Sequence, residues 1–179
     1  MATKRATATL DGDGLRLVAA TGTGHIIVMD NVDGDAGPRP AEVLLVAQAG
    51  CTAMDVVTIL RKKRQQFTRY EVRVSGDQRD DPHPHVFQRI EIVHVLDGAD
   101  LDSGAVRRAI ELSATRYCTV TAMLGAGVAE IHHRYLIQRG DGGVDDSGEV
   151  VVTGPGARPD SLATVSRAAE AAPVEKGAA

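Results

Sequence analysis

Cysteine occurs at two positions in this chain, Cys51 and Cys118, and each lies in a segment with helix-like apolar spacing. A thiolate is both a strong nucleophile and an easily oxidised atom, and a sulfenic acid on one sulfur can condense with a second thiol to a disulfide. The pair can therefore form one redox couple, in which one sulfur attacks a substrate and the other resolves the product, if the fold brings the two Cα atoms within about 7 Å. The alternative is two small buried side chains, which free cysteines commonly are.

The overall composition disfavours two classes of partner. The net charge is −4, and the basic residues are scattered apart from the run at 61–64. Aromatic residues make up 3% of the chain and Trp is absent, so the chain is not expected to bind nucleic acid. No run approaches the ~20 apolar residues that span a bilayer. We therefore expect a soluble, cytoplasmic protein without a membrane partner, in a compartment where a permanent disulfide is disfavoured.

Short β-prone segments precede the first cysteine. Residues 4–29 hold three of them, separated by Asp-Gly-Asp-Gly and Gly-Thr-Gly turns, and this pattern predicts an antiparallel three-stranded meander. Pro40 suits the first position of a long helix that continues to Gln66. Because Gly costs about 1 kcal/mol relative to Ala inside a helix, we expect a kink or a break near Gly50. A break would place Cys51 at the start of a second helix, where thiol pKa values are lowered.

The elements after this helix predict the fold class. Two alternating segments, 68–76 and 86–96, form a second hairpin with a long loop, Asp102 caps a further helix, and a shorter helical piece follows Cys118 before a last strand at 128–138. This order predicts an α+β fold with mainly antiparallel sheet. Residues 140–179 contain few large apolar side chains and are expected to form a disordered tail, which leaves 1–139 as the folded domain.

Histidines and one aspartate are further candidates for chemistry. His83 and His85 flank a proline in a loop, and the adjacent His132 and His133 point to opposite faces of a strand, so we expect solvated histidines. We predict no metal and no cofactor. Asp55 lies one helical turn after Cys51, but a carboxylate raises the pKa of a neighbouring thiol. We therefore expect Asp55 to be a cap or a hydrogen-bond partner.

The sequence around each cysteine carries a family resemblance. The residues Pro-Ala-Glu-Val-Leu-Leu at 40–45, leading to Ala-Gly-Cys-Thr-Ala-Met-Asp-Val-Val at 49–57, resemble the first cysteine motif of the OsmC/Ohr family. Ala-Ile-Glu-Leu-Ser at 109–113, through Arg-Tyr-Cys-Thr-Val at 116–120, resembles the second. The resemblance spans roughly residues 5–138, and the first motif is similar to that of an OsmC-like subgroup with a Pro-x-Glu-Leu type of sequence.

This resemblance implies a fold, an assembly and an activity. The fold would have antiparallel sheets packed on a central long, kinked helix, in an intertwined homodimer with two active sites at the subunit interface. The activity would be that of a thiol-dependent peroxidase that reduces organic hydroperoxides, with Cys51 as the peroxidatic residue, Cys118 as the resolving residue and an external dithiol as the reductant. The alternative is a non-enzymatic OsmC-like protein that serves as a thiol redox sensor or binds a small hydrophobic ligand.

The resemblance also implies a Glu and an Arg that hold the reactive cysteine. Glu42 is the candidate for the Glu, although it lies one residue later after Pro40 than in the best-characterised members. Nine residues at ~100° each would put Glu42 opposite Cys51 on an unbroken helix, so a kink or the second subunit would have to bring them together. Neither Arg16 nor Arg39 can be assigned the role of the Arg.

Overall fold

The structure is a computed structural model that describes residues 3–81, 84–126, 130–139 and 143–153. The chain forms two compact units, Met1–Val46 and Ala47–Ala179. In the first unit, strands β1 (Ala6–Leu10), β2 (Leu17–Thr21) and β3 (Ile26–Met29) form an antiparallel sheet in sequence order. Gly12 and Gly24 adopt positive φ in the two connecting turns, where glycine has no steric penalty. The predicted three-stranded meander is confirmed.

Helix α1 runs without a break from Pro40 to Lys62, as 23 residues that include Gly50 and Cys51. The predicted break near Gly50 is therefore wrong. A Cβ added at Gly50 would meet open space, so no close approach requires glycine there. The cost of about 1 kcal/mol for one Gly is small beside the helical hydrogen bonds on both sides of it. Cys51 consequently lies in the interior of a helix and not at a helix N-terminus.

Helix α1 is also long and apolar enough to cross a membrane by length and composition. The sequence analysis expected no apolar run of membrane-spanning length, and this expectation is wrong for α1. The buried residues of α1 are Gln48, Thr52, Val56 and Leu60, which lie four residues apart along one row. Two of these four are polar, and both have side-chain partners in the protein. Such a row is typical of a helix that packs against protein.

The second unit contains a four-stranded sheet with the order β4-β5-β6-β7. Strands β4 (Arg69–Gln78) and β5 (Phe87–Asp97) form the predicted hairpin, and β6 (Glu130–Gln138) pairs with β5 in parallel. Helix α2 (Ser103–Leu112), a π-helical turn (Ser113–Tyr117) and helix α3 (Thr119–Leu124) connect β5 to β6. Aliphatic side chains from these elements form the core: Ile90, Ile92, Leu96, Val106, Ile110, Ile131 and Ile137. The α+β class is confirmed.

Strand β7 (Asp146–Thr153) lies within the segment expected to be a disordered tail. It pairs with β6 in antiparallel register, with Ile131 opposite Val152, and Val150 and Val152 are buried. The expectation is therefore wrong for 146–153, while 140–142 and 154–179 lie outside the described residues. The aliphatic run at 150–152 supplies enough apolar surface for one edge strand, and Gly148 leaves room for the Tyr135 ring, because a Cβ there would lie 2.5 Å from the Tyr135 hydroxyl.

Candidate functional site

The second unit brings the two cysteines together. The Sγ atoms of Cys51 and Cys118 and a carboxylate oxygen of Asp55 all lie within 4.8 Å of one another, and both cysteines are free thiols. Cys51 comes from the middle of α1, and Cys118 lies between the π-helical turn and α3. The two sulfurs are therefore neighbours, whereas a disulfide requires an S–S length of about 2.05 Å. The dithiol can therefore act as one redox couple.

Local backbone structure fixes the position of the Cys118 sulfur. The Cys118 amide donates to the Ser113 carbonyl oxygen at 2.9 Å, which closes the π-helical turn. Cys118 then takes an extended conformation and caps α3, with its Sγ accepting a hydrogen bond from the Thr121 amide at 3.4 Å. A π-helical turn is rare and occurs frequently at functional sites. Here it directs the sulfur toward α1 and ends α2 at the same time.

Five polar side chains, which we call the polar seam, surround the dithiol: Gln48, Thr52, Asp55, Ser113 and Thr121. The Gln48 amide nitrogen donates to the Thr121 hydroxyl at 2.8 Å and contacts the Cys118 sulfur at 3.8 Å. The Ser113 hydroxyl donates to Asp55 at 3.0 Å and lies 3.1 Å from the Thr52 hydroxyl. The seam thus joins α1 to both the π-helical turn and α3 through hydrogen bonds between side chains.

One atom of the polar seam has no partner. Gln48 is fully buried, and its amide oxygen makes no hydrogen bond within the described residues. An unsatisfied buried acceptor costs about 1–3 kcal/mol. The amide nitrogen of the same side chain contacts Cys118, so the unsatisfied acceptor belongs to a residue that borders the dithiol.

The two thiols differ in exposure, and the more buried one has a raised pKa. Cys118 is 3% exposed, whereas Cys51 is half-buried. Burial raises the pKa of the Cys118 thiol to about 11, the neighbouring Cys51 side chain acts in the same direction, and hydrogen bonds from Thr121 oppose the rise. Cys118 is therefore a protonated thiol at neutral pH. The Asp55 carboxylate lies within 4.8 Å of both sulfurs and accepts a hydrogen bond from Ser113, so the prediction of a hydrogen-bond partner is confirmed.

Glu42 lies in the first unit, at the start of α1. Its carboxylate accepts a hydrogen bond from the Arg39 amide at 2.7 Å, and the Arg39 guanidinium lies 3.5 Å from it. This is the reciprocal half of a capping box, which stabilises a helix N-terminus. Arg16 pairs with Asp11 in the same unit at 3.4 Å. The role of Glu42 toward Cys51 stays a prediction, since these contacts concern the first unit alone.

The histidines correct one expectation. His132 and His133 do point to opposite faces of β6, but His133 is fully buried, as is His94 on β5. The Tyr70 hydroxyl lies 2.7 Å from Nδ1 of His94, and Nε2 of His94 lies 3.4 Å from Nδ1 of His133. The prediction of a solvated His133 is therefore wrong, because His133 lies on the same face of β6 as Ile131, Tyr135 and Ile137, which are also buried. His83 lies outside the described residues.

Burial controls the charge of this Tyr-His-His array. Burial, and then the neighbouring His133, lowers the pKa of His94 well below its usual value. Burial, and then the neighbouring His132, lowers the pKa of His133 to about 3. The Tyr70 pKa is raised, first by burial and then by the charge of Asp55. The array is thus neutral at physiological pH, and the charge of Asp55 adds to the rise of the Tyr70 pKa.

Four members of the polar seam were missed from the sequence. Gln48 and Thr52 had a signal that could have found them, since they continue the row of Val56 and Leu60 toward the N-terminus at a spacing of four. A buried row that contains polar residues indicates a partner on the facing element. Ser113 and Thr121 carry no such signal, because their roles depend on the π-helical turn and on the α3 cap.

Comparisons with known proteins agree on one family. The family model described as OsmC-like protein matches residues 32–132. Protein YhfA of Escherichia coli strain K12 is 41% identical over 125 residues, which cover 70% of this chain and 92% of that protein. The family-model match contains both cysteine motifs, at 40–57 and 109–120.

Solved structures show the same fold. A hypothetical protein from Aquifex aeolicus is 28% identical with a TM-score of 0.69, and the match covers 77% of this chain and 98% of that one. The organic hydroperoxide resistance protein OhrB of Bacillus subtilis is 14% identical with a TM-score of 0.52, covering 76% and 98%. At this identity the second likeness concerns the fold alone.

Proposed function

Because the chain belongs to the OsmC-like protein family, we propose that it is a thiol-dependent peroxidase that reduces organic hydroperoxides through Cys51 and Cys118. The observation that carries this proposal is the approach of the two sulfurs to within 4.8 Å, beside Asp55. A protein of the same fold, OhrB of Bacillus subtilis, is named as an organic hydroperoxide resistance protein. Family and geometry together favour redox chemistry at this dithiol.

The proposed reaction has three steps. The Cys51 thiolate attacks the distal oxygen of the hydroperoxide, the O–O bond breaks, and the alkoxide leaves as the alcohol after it takes a proton. The Cys118 thiol then condenses with the Cys51 sulfenic acid, which forms the disulfide and releases water. An external dithiol reduces the disulfide by thiol–disulfide exchange and is itself oxidised. The net reaction converts one hydroperoxide and one dithiol to an alcohol, water and a disulfide.

The assignment of roles follows from exposure and proton affinity. A peroxide must reach the attacking sulfur, and Cys51 is the half-buried member of the pair. Cys118 is 3% exposed, and its pKa is raised to about 11, so it is a poor first nucleophile at neutral pH. Its burial beside Cys51 suits the resolving role, because a sulfenic acid formed there meets a thiol before it meets a second peroxide.

Asp55 is proposed as the proton carrier of the site. Its carboxylate lies within 4.8 Å of both sulfurs and accepts a hydrogen bond from Ser113. From this position it can take the Cys51 proton and return it to the departing oxygen. The amide oxygen of Gln48, which has no partner among the described residues, can accept a hydrogen bond from the hydroperoxide OH. Glu42 stays a second acidic candidate, to be tested as Glu42→Gln.

An apolar substrate is favoured by the side chains on the elements that carry the thiols. Met54 on α1, Tyr117 before Cys118 and Met123 on α3 are exposed by 74%, 51% and 74%. Exposed large apolar groups beside a reactive centre are suited to a hydrocarbon ligand or to a second subunit. We propose that both apply, with a homodimer that encloses the alkyl group of the substrate.

The test measures consumption of cumene hydroperoxide by the full chain with dithiothreitol as reductant. Wild type should turn over many times, and Cys51→Ser should lose turnover by on the order of 10³-fold. Cys118→Ser should react once and then accumulate Cys51 sulfinic acid, detected by mass spectrometry. Thr115→Ala, which removes an exposed hydroxyl bonded to the Glu111 carbonyl, is the control and should retain activity. Turnover that persists in Cys51→Ser contradicts the mechanism.

A thiol redox sensor is the second candidate, and the acidic neighbour at the dithiol favours it. A carboxylate beside a sulfur does not stabilise a thiolate, and Asp55 is that neighbour. A sensor should form the Cys51–Cys118 disulfide with one equivalent of hydroperoxide but should not consume further equivalents when dithiothreitol is present. Counting equivalents consumed per chain separates this candidate from the enzyme.

A further inference from the structure

Three side chains with metal-ligand atoms meet at one point of the second unit. The sulfurs of Cys51 and Cys118 and a carboxylate oxygen of Asp55 lie within 4.8 Å of one another. We propose that this cluster, in its reduced form, binds a thiophilic divalent cation of the Zn²⁺ class. The proposal does not depend on peroxidase activity, because it concerns the resting dithiol. The cluster contains no histidine.

The ligand set fits this class of cation. Two thiolates and a carboxylate select Zn²⁺ and its analogues over Mg²⁺ and Ca²⁺, which prefer oxygen ligands. Tetrahedral Zn²⁺, with Zn–S near 2.3 Å and Zn–O near 2.0 Å, places its ligand atoms about 3.5–3.8 Å apart. The three ligand atoms, which all lie within 4.8 Å of one another, are near that spacing. Each thiol that ligates releases its proton to solvent.

A second observation points to a missing partner at this place. The Gln48 side chain contacts Cys118 through its amide nitrogen, while its buried amide oxygen has no partner among the described residues. Turning the amide by 180° would exchange the two atoms and still leave one of them without a bond. Three protein ligands leave a fourth position open on a tetrahedral ion. With the amide turned so that its oxygen faces Cys118, Gln48 would accept a hydrogen bond from water bound at that position.

Metal and disulfide would exclude each other, because both use the same two sulfurs. A bound cation would hold Cys51 and Cys118 as thiolates and would prevent Cys51 from attacking a hydroperoxide. Oxidation to the disulfide would remove two of the three ligands and release the ion. The site would therefore bind metal only when the dithiol is reduced.

The test titrates Co²⁺ into the full chain, which is first freed of metal with a chelator and reduced with a phosphine. A thiolate-to-cobalt charge-transfer band should appear and saturate at one equivalent per chain, and Zn²⁺ should displace the Co²⁺. Cys51→Ser should lose the affinity by at least 100-fold, and Asp55→Asn should lose it by about 10–100-fold. Asn at position 55 still accepts the Ser113 hydrogen bond, so this variant keeps the fold. Protein oxidised with diamide should not bind.

The control is His132→Gln, which removes an imidazole that lies against Glu130 and Glu149. It should bind Co²⁺ as wild type does. A missing charge-transfer band in reduced wild type overturns the proposal, and so does undiminished binding by Cys51→Ser or by Asp55→Asn. Hydroperoxide turnover is measured on the metal-free protein, so failure of the peroxidase and failure of the metal site give separate results.

Discussion

The two sulfurs are chemically distinct although they are close together. Cys51 is half-buried in the middle of a helix, and Cys118 is 3% exposed and has a raised pKa. Alkylation requires both access and thiolate. We expect iodoacetamide at pH 8 to label Cys51 well before Cys118 in the folded protein, and both at similar rates in urea. Peptide mapping by mass spectrometry measures the order, and equal labelling of the folded protein would contradict the assignment of roles.

His94 and His133 predict the acid sensitivity of the fold. Both are buried and neutral, with pKa values lowered chiefly by burial, to about 3 for His133. The unfolded chain binds protons at these residues below about pH 6.5, so the contribution of neutral histidine is present above that pH and is lost as the pH falls toward 3. The free energy of unfolding should fall by up to about 1.4 kcal/mol per pH unit for each histidine.

Urea denaturation at pH 7.5, 6 and 5 measures this slope. His133→Gln removes one titrating group and should lower the slope between pH 6 and 5, whatever it does to the stability at pH 7.5. An unchanged slope would show that His133 does not titrate on unfolding.

The sequence predicted Cys51, Cys118 and Glu42 as site residues and Asp55 as a cap or hydrogen-bond partner, because motif resemblance and helical spacing are local properties. It could not find the burial of His133, because alternation along a strand does not show which of its two faces the rest of the fold covers. It also missed Ser113, whose partners Thr52 and Asp55 are about 60 positions away in the chain. Contacts of that separation depend on the fold and leave no periodic signal.

The polar seam joins two elements, and Ser113 is its central hydroxyl. It donates to Asp55 at 3.0 Å and lies 3.1 Å from the Thr52 hydroxyl. Ser113→Ala should lower the free energy of unfolding by about 1–3 kcal/mol, because it leaves buried polar partners without a bond. Thr115→Ala on the same π-helical turn should change it by no more than about 0.5 kcal/mol. Urea denaturation compares them, and equal stabilities would contradict the structural role of the seam.

Strand β7 offers a test within three consecutive valines. Val150 and Val152 are buried and Val151 is half-buried on the other face. Val150→Ala and Val152→Ala should each cost about 1–3 kcal/mol of unfolding free energy, since each leaves a gap in the core. Val151→Ala should cost clearly less. If all three variants lose the same stability, these residues do not alternate as the register of β7 requires.

The hairpins and helices of this fold could be predicted from local patterns, whereas two features of the sheet could not. The parallel pairing of β5 with β6 results from the crossover through α2 and α3, and alternation within a strand does not record the direction of its neighbour. Strand β7 was hidden by its Asp-Ser-Gly-Glu start, in which Gly148 accommodates the Tyr135 ring. The helix break expected at Gly50 failed because propensity is a weak prior.

At the scale of the whole molecule, the exposed apolar residues of α1 bear on assembly. Val46 and Met54 are exposed by 65% and 74%, and the helix is apolar enough to qualify as a membrane span by composition. A second copy of the chain is the partner that we propose for this surface. Light scattering should give the mass of a dimer, and Val46→Glu combined with Met54→Glu should shift the protein toward monomer.

The matched control for this experiment is Lys62→Glu, which makes the same change in net charge at the exposed end of α1. It should leave the dimer intact. A wild-type protein that is monomeric at micromolar concentration would contradict the proposed assembly. It would not contradict the thiol chemistry, because both sulfurs belong to one chain.

The Thr121 amide at the start of the six-residue helix α3 donates a hydrogen bond to the Cys118 sulfur. The same sulfur would form a covalent bond to Cys51 when the dithiol is oxidised. When that sulfur is bonded to another sulfur, it carries less negative charge to offer the amide, and the first turn of α3 loses part of its anchor. Deuterium uptake at Thr121 should then accelerate on oxidation and slow again on reduction. The exposed Met123 lies on the same helix and would move with it. Oxidation of the buried Cys118 sulfur would thus change the outer surface of the protein.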